Sequence, residues 1–293
     1  MDARHLDGLY APYVYQYCNY GKLSNPMISF SGNELIAMIA SFIWPLTRIL
    51  GLIAIAPPFG NNSVPVQVKL MLGVMLALIV SPGIPLATQA DPLSLTGLMI
   101  LMQQMVIGMA MGFMVRIVFS GIEMAGEVIG LTMGLGFASF FDPQTQGRTS
   151  AISQFLVLVA TLLFLNLNVH LSVFSALIES FKTIPISTSL TMGFSFQKLA
   201  LWGEQIFIIS MRLSLPIVAA LLIANIALGI LTRAAPQLNL FGIGFPITIG
   251  VGFLMLSMTL PYMLLPLENA FQSGIDAILS LGMVAPQPLK LSP

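Results

Sequence analysis

The sequence predicts an all-α fold of polytopic, membrane-type helical hairpins, some of them kinked or broken. Three observations carry this. Hydrophobic residues make up 57% of the 293 and charged residues only 8%, against about 25% charged in soluble domains. Mean hydropathy is +0.93. Apolar runs recur at the length that crosses a bilayer, about 20 residues. Prolines lie inside several runs, at Pro45, Pro216, Pro246 and Pro261. Each removes a backbone donor and bends or breaks a helix. In lipid the freed carbonyl needs a partner, so such helices belong in a packed assembly or beside a water-filled cavity.

The elements follow in order. Residues 1–30 hold five of the six tyrosines, Tyr10, Tyr13, Tyr15, Tyr17 and Tyr20, together with Arg4 and Lys22. They contain no apolar run of secretory-signal length. They read as an extension whose tyrosines suit an interface. Leu35–Ala56 is the first apolar segment, interrupted by Pro45 and Arg48. Leu70–Leu86 follows, bounded by Lys69 and by Ser81-Pro82-Gly83. Leu93–Val115 has no charge, and the only titratable side chain in Ala151–Ile178 is His170. Leu199–Leu231 carries Glu204 and Arg212, and Leu238–Leu267 is uncharged. That makes about six candidate spans. Ala56-Pro57-Pro58 and Ala235-Pro236-Gln237 read as short connections between hairpin arms. Basic residues fall on both sides, with a small excess on the side of Lys182, Lys198, Lys290 and the N-terminus. That excess places both ends in the cytoplasm.

Composition also excludes several functions. Eleven basic residues balance eleven acidic ones, so no charge excess points to nucleic acid. Cys18 is the only cysteine, and His5 and His170 are the only histidines. A disulfide framework or a cysteine or histidine metal cluster is excluded. No phosphate loop, zincin pair or nucleophile elbow appears. The expectation is a non-enzymatic protein without a cofactor.

The stretch from Gly97 to Ser150 carries the most information. Gly108 and Gly112 are four apart, and Gly126, Gly130 and Gly134 repeat that spacing. Such strips let helix backbones approach closely. Embedded charges occur at Arg48, Arg116, Glu123, Glu127, Glu204, Arg212 and Arg233. Charges at membrane depth pair or face water. An ion relay is one reading, and a structural ion pair or a helix end at the boundary is the other. Arg116 and Glu123, seven apart, return to nearly the same helix face. Methionine is dense here, from Met99 to Met133. It serves as adaptable packing or as a deformable seal. His170 reads either as a hydrogen-bonded residue or as a proton carrier. Gly134, Gly136, Phe137, Phe140, Phe141, Asp142 and Pro143 then leave the strip for a polar segment. Asp142-Pro143 favours a turn. Three phenylalanines are unusual for a solvent loop between two membrane-length segments.

At these residues the chain resembles the FliR family of flagellar and injectisome type III export-apparatus proteins. The matching stretches run in family order. They are Ser63-Val64-Pro65 with Val68-Lys69, then Ala125-Gly126-Glu127-Val128-Ile129-Gly130, then Gly134-Leu135-Gly136-Phe137-Ala138 with Asp142-Pro143. Asn168 and His170 follow, then Ser180-Phe181 with Ile184-Pro185, Arg233-Ala234-Ala235-Pro236-Gln237-Leu238-Asn239, and Gly244-Phe245-Pro246. The resemblance implies three regions: an extension 1–30, a helical export-gate body 31–281 and a tail 282–293. It implies a hetero-oligomeric gate in the bacterial inner membrane, within the flagellar basal body. That gate would be shared with FliP-like and FliQ-like proteins, beside an FlhB-like switch protein. Its cargo would be unfolded flagellar subunits. Much of the body would stand above the membrane plane after assembly. The segment around Met133–Ser150 would look inward and help plug the pore.

Three alternatives stand beside this. One is an injectisome export component. A secondary transporter would need inverted repeats with matching broken helices, and no such pair is evident. An integral-membrane enzyme would need converging acid, base or metal groups, and Glu123, Glu127 and His170 are sparse for that.

Overall fold

In a computed structural model, the structure describes residues 32–61, 63–84, 91–137, 150–187, 196–235 and 240–282. The chain divides into two units, Met1–Ile36 and Ala37–Pro293. Of the first, only the start of one helix is described. The described residues form nine α-helices and no strand, so the fold is all-α. The helices are α1 (Gly32–Ile55), α2 (Val66–Val80), α3 (Leu95–Thr132), α4 (Ala151–Asn166) and α5 (Val169–Thr183). Then come α6 (Phe196–Trp202), α7 (Gln205–Ala234), α8 (Leu240–Thr259) and α9 (Leu264–Ser280). Five helical stretches are long and apolar enough to cross a membrane, or six if the pair α4 and α5 counts as one broken span.

Helix α3 organises the core. Ser94 starts it, its hydroxyl accepting from the Gly97 amide at 3.0 Å, which satisfies one orphan donor of the first turn. It runs 38 residues, about 57 Å at 1.5 Å per residue. The uncharged stretch stops at Val115, but the helix continues past Arg116 for four more turns. A bilayer core is only about 30 Å thick, so α3 extends well beyond a single crossing. Its inner face buries Ile100, Ile107, Met111, Met114, Val118, Ile122, Ala125 and Ile129.

The glycines set how neighbours approach α3. A Cβ at Gly108 would collide with the Arg48 carbonyl, and one at Gly112 would come within 2.7 Å of the Leu52 carbonyl. From the other side, a Cβ at Gly51 would come within 2.8 Å of the Met105 carbonyl. Four residues on α3 match four on α1, so these helices run parallel. A Cβ at Gly126 would strike the Ser153 backbone, and one at Gly130 would lie 3.0 Å from Ser150 Oγ. There the numbering runs in opposite senses, so α3 and α4 are antiparallel. Gly121 is covered by Ile209 of α7. The two glycine sets therefore form two seams, against two different helices. Gly134 belongs to neither. It lies beyond the end of α3 at φ +87, a conformation that costs glycine little.

Two breaks shape the rest. Helices α4 and α5 meet at 67°. Asn168 is the hinge residue, left-handed at φ 56, a conformation asparagine tolerates better than most. At the bend, Phe119, Phe164 and Phe271 form a ring cluster with centroids 5.5 to 5.7 Å apart. This joins α3, α4 and α9. Pro45, Pro216 and Pro246 lie within helices, whereas Pro261 falls in a 3-10 turn, Leu260–Met263, that separates α8 from α9.

Candidate functional site

Both described ends of the loop after α3 are held by specific contacts. At its start, the Met133 side chain is fully buried in the notch that Gly252 leaves on α8. Thr248 Oγ1 donates to the Met133 carbonyl at 3.1 Å. Phe245 packs on Gly134, where a Cβ would lie 2.8 Å from its ring. Leu135–Phe137 forms a short 3-10 turn that includes Gly136. At its far end, the Ser150 amide donates to Glu127 Oε1 at 2.6 Å. Ser150 Oγ in turn accepts from the Ser153 amide at 3.1 Å. The first turn of α4 thus receives both a hydroxyl cap and a carboxylate from α3, and a negative charge there is favoured by the helix dipole. Ser153 Oγ donates to the Glu123 carbonyl at 2.8 Å. Phe140, Phe141, Asp142 and Pro143 lie outside the described residues, as does the Phe137 side chain.

The embedded charges separate into different environments. Arg48 is fully buried. Its Nε donates to Gln104 Oε1 at 2.8 Å, Nη1 to the Ser180 carbonyl at 3.0 Å and to Ser180 Oγ at 3.1 Å, and Nη2 to the Ile184 carbonyl at 2.9 Å. Its guanidinium also lies 4.2 Å over the Phe181 ring. One side chain of α1 thereby joins α3 to the C-terminal end of α5. Arg116 and Glu123 do share a face, as their spacing predicts. They line a groove of about 520 Å³ with Pro57, Pro58, Asn61, Phe119, Gln154, Leu158 and Thr161. Glu204, Arg212 and Arg233 are exposed.

No ion pair among the described residues involves any of these seven charges. Glu127 binds a backbone amide instead, and Arg48 binds neutral acceptors. His170 Nδ1 is buried without a hydrogen-bond partner among the described residues. Its ring is 6.4 Å from Phe164, beside the aromatic cluster. The methionines divide. Met111, Met114 and Met133 are buried, while Met99, Met102 and Met105 are exposed. Packing explains the first group, and the second is open to lipid or a partner. Among the described residues no three His, Cys, Asp or Glu side chains group as a metal site.

Sequence reasoning missed the Arg48 cluster. Its partners are 56 to 136 residues away, so no local spacing shows them. The one available signal was Gln103-Gln104, two amides inside an otherwise apolar run.

The sequence is similar to known proteins over most of its length. The chain matches the family described as Bacterial export proteins, family 1, over residues 39–274. It is 41% identical over 252 residues to the flagellar biosynthetic protein FliR of Pectobacterium carotovorum subsp. carotovorum, covering 86% of this chain and 96% of that one. It is 37% identical to the protein of the same name from Escherichia coli strain K12, covering 80% and 90%. A more distant relative of that name, from Bacillus subtilis strain 168, is 28% identical across 85% of this chain and 97% of its own. The match takes in α3, the Arg48 cluster and both ends of the loop, and the chain belongs to the bacterial export proteins, family 1.

Proposed function

We propose that this chain is a non-enzymatic component of the flagellar type III export gate. In this reading it forms, with FliP-like and FliQ-like proteins, the closed pore that passes unfolded flagellar subunits, beside an FlhB-like switch protein. The gate lies in the bacterial inner membrane, in the flagellar basal body. The observation that carries this is the match along nearly the whole length of relatives named flagellar biosynthetic protein FliR.

The surface supports an assembled state. Val66, Met71, Met75, Leu78 and Ile79 of α2 and Leu222, Ile223, Ile226 and Ile230 of α7 are all exposed. Apolar surface on this scale needs lipid or other subunits to cover it. Part of the body lies outside hydrocarbon in this reading. Glu179 and Lys182 form an exposed ion pair at 3.0 Å on α5, flanking the residue that binds Arg48. A lipid-facing charge pair there would be costly. The two clamped ends of the loop after α3 suit a plug, and we assign Gly134 to Ser150 that role.

The test is genetic. A strain lacking this gene makes no flagellar filaments and does not swim, while general secretion continues. Normal filaments in that strain would refute the assignment.

A further inference from the structure

We propose that the groove holding Arg116 and Glu123 binds the headgroup of one phospholipid of the phosphoethanolamine type, with the phosphate at Arg116 and the ammonium at Glu123. The groove encloses about 520 Å³, within the range of small-ligand clefts, roughly 300–1,000 Å³. Its floor is α3. Its walls are α4 and the end of α1 with the turn at Pro57-Pro58.

The register of the helices sets the level of this groove. Helix α3 is uncharged from Leu95 to Val115, about 32 Å at 1.5 Å per residue. A bilayer core is about 30 Å thick, so Arg116 follows directly on a run of bilayer length. The neighbouring span, Ile36–Ile55, stops at the same level. A Cβ at Gly112 would lie 3.2 Å from Ile55 Cβ. Because α1 runs parallel to α3, its last residue ends within about a turn of Arg116. Two parallel spans finish together here, and that is the level of lipid headgroups.

The order of groups matches the order in a lipid. Along α3 the apolar run is followed by Arg116, then Ser120, then Glu123, and all three line the groove. Along a phospholipid the acyl chains are followed by the phosphate and then by the amine. Arg116 and Glu123 are about 10 Å apart along the helix axis, a gap that two long side chains and one headgroup bridge. A guanidinium binds phosphate through paired N–H groups, and a primary ammonium donates to a carboxylate. Neither side chain forms an ion pair among the described residues. Arg116 is exposed and Glu123 half-buried. Ile55 and Leu158 supply apolar wall for the glycerol end of the lipid.

Charge selects the headgroup. Arg116 and Glu123 are the only charged residues among the described lining, one of each sign. A phosphoglycerol headgroup answers Arg116 but leaves Glu123 beside an anion with no cation of its own. A choline group has no N–H to give to Glu123. Phosphoethanolamine answers both charges. The site does not depend on the export role.

The experiment titrates the purified full-length chain in detergent with phosphatidylethanolamine, phosphatidylcholine and phosphatidylglycerol of the same acyl chains. Native mass spectrometry counts the bound lipid. One phosphatidylethanolamine should bind several-fold more tightly than either of the others. Arg116→Gln should weaken all three lipids. Glu123→Gln should keep binding but lose the preference for ethanolamine over glycerol. Should either variant fail to fold, the comparison on the parent chain still decides, together with a photo-crosslinking benzoylphenylalanine in place of Leu158. In cell membranes that probe should capture phosphatidylethanolamine. Equal affinity for the three lipids, an unchanged preference in a folded Glu123→Gln variant, or capture of another polypeptide with no lipid adduct would each overturn the site.

Discussion

Gly108 is decisive at the level of single residues because it has no room. Any side chain there meets the Arg48 backbone carbonyl, and a backbone atom cannot rotate aside. Gly108→Ala should force α1 and α3 apart and cost about 1–3 kcal/mol, the usual range for overpacking. Gly229 on α7 is the control, since nothing lies within 4 Å of a Cβ there. Gly229→Ala should be neutral or stabilising by up to about 1 kcal/mol, because alanine prefers helix. Denaturation of the two purified variants in detergent checks the contrast, and equal stabilities would show that the seam is not tight. The four-residue spacing made Gly108, Gly112, Gly126 and Gly130 legible in sequence. It did not show which helix each pair meets. Arg48 was legible only as a charge in an apolar run, because its acceptors come from α3 and α5.

Among the elements, the break between α4 and α5 is the sharpest departure from a simple row of spans. Asn168 is left-handed there. Asn168→Gly should be tolerated, and Asn168→Val should lose about 1–2 kcal/mol through the steric cost of that conformation. A valine variant as stable as the parent would mean that the hinge relaxes freely. Sequence reading treated Ala151–Ile178 as one segment, since its apolar run is continuous and no glycine or proline marks the bend. It also let the charge at Arg116 end the third segment, whereas α3 continues to Thr132. Charge density tracks which surface avoids lipid, and helix continuity is set by backbone bonding and the tight glycine seam with α4. The end of α3 was partly legible through Gly134, and the start of α4 through the polar segment before Ala151.

The whole molecule leaves much of its apolar surface open and clamps both ends of one loop. If Gly134 to Ser150 plugs the pore, its phenylalanines exclude ions by forming a hydrophobic constriction. Removing Phe137–Asp142 should then make cells with the assembled gate leak small ions, while the helices stay folded. Membrane conductance reads this directly, and an assembled variant as tight as the parent would leave the segment as a packing loop. The loop was recognisable in sequence by its aromatic residues between membrane-length runs, and its contacts at Thr248, Phe245 and Glu127 were not, because they are tertiary. The central claim is membership of a multi-subunit export gate. Affinity purification of the full-length chain from its own membranes, followed by native mass spectrometry, tests that claim most directly. The predicted result is a single complex containing FliP-like and FliQ-like subunits. Recovery of the chain alone, under conditions that keep those two proteins bound to each other, would contradict it.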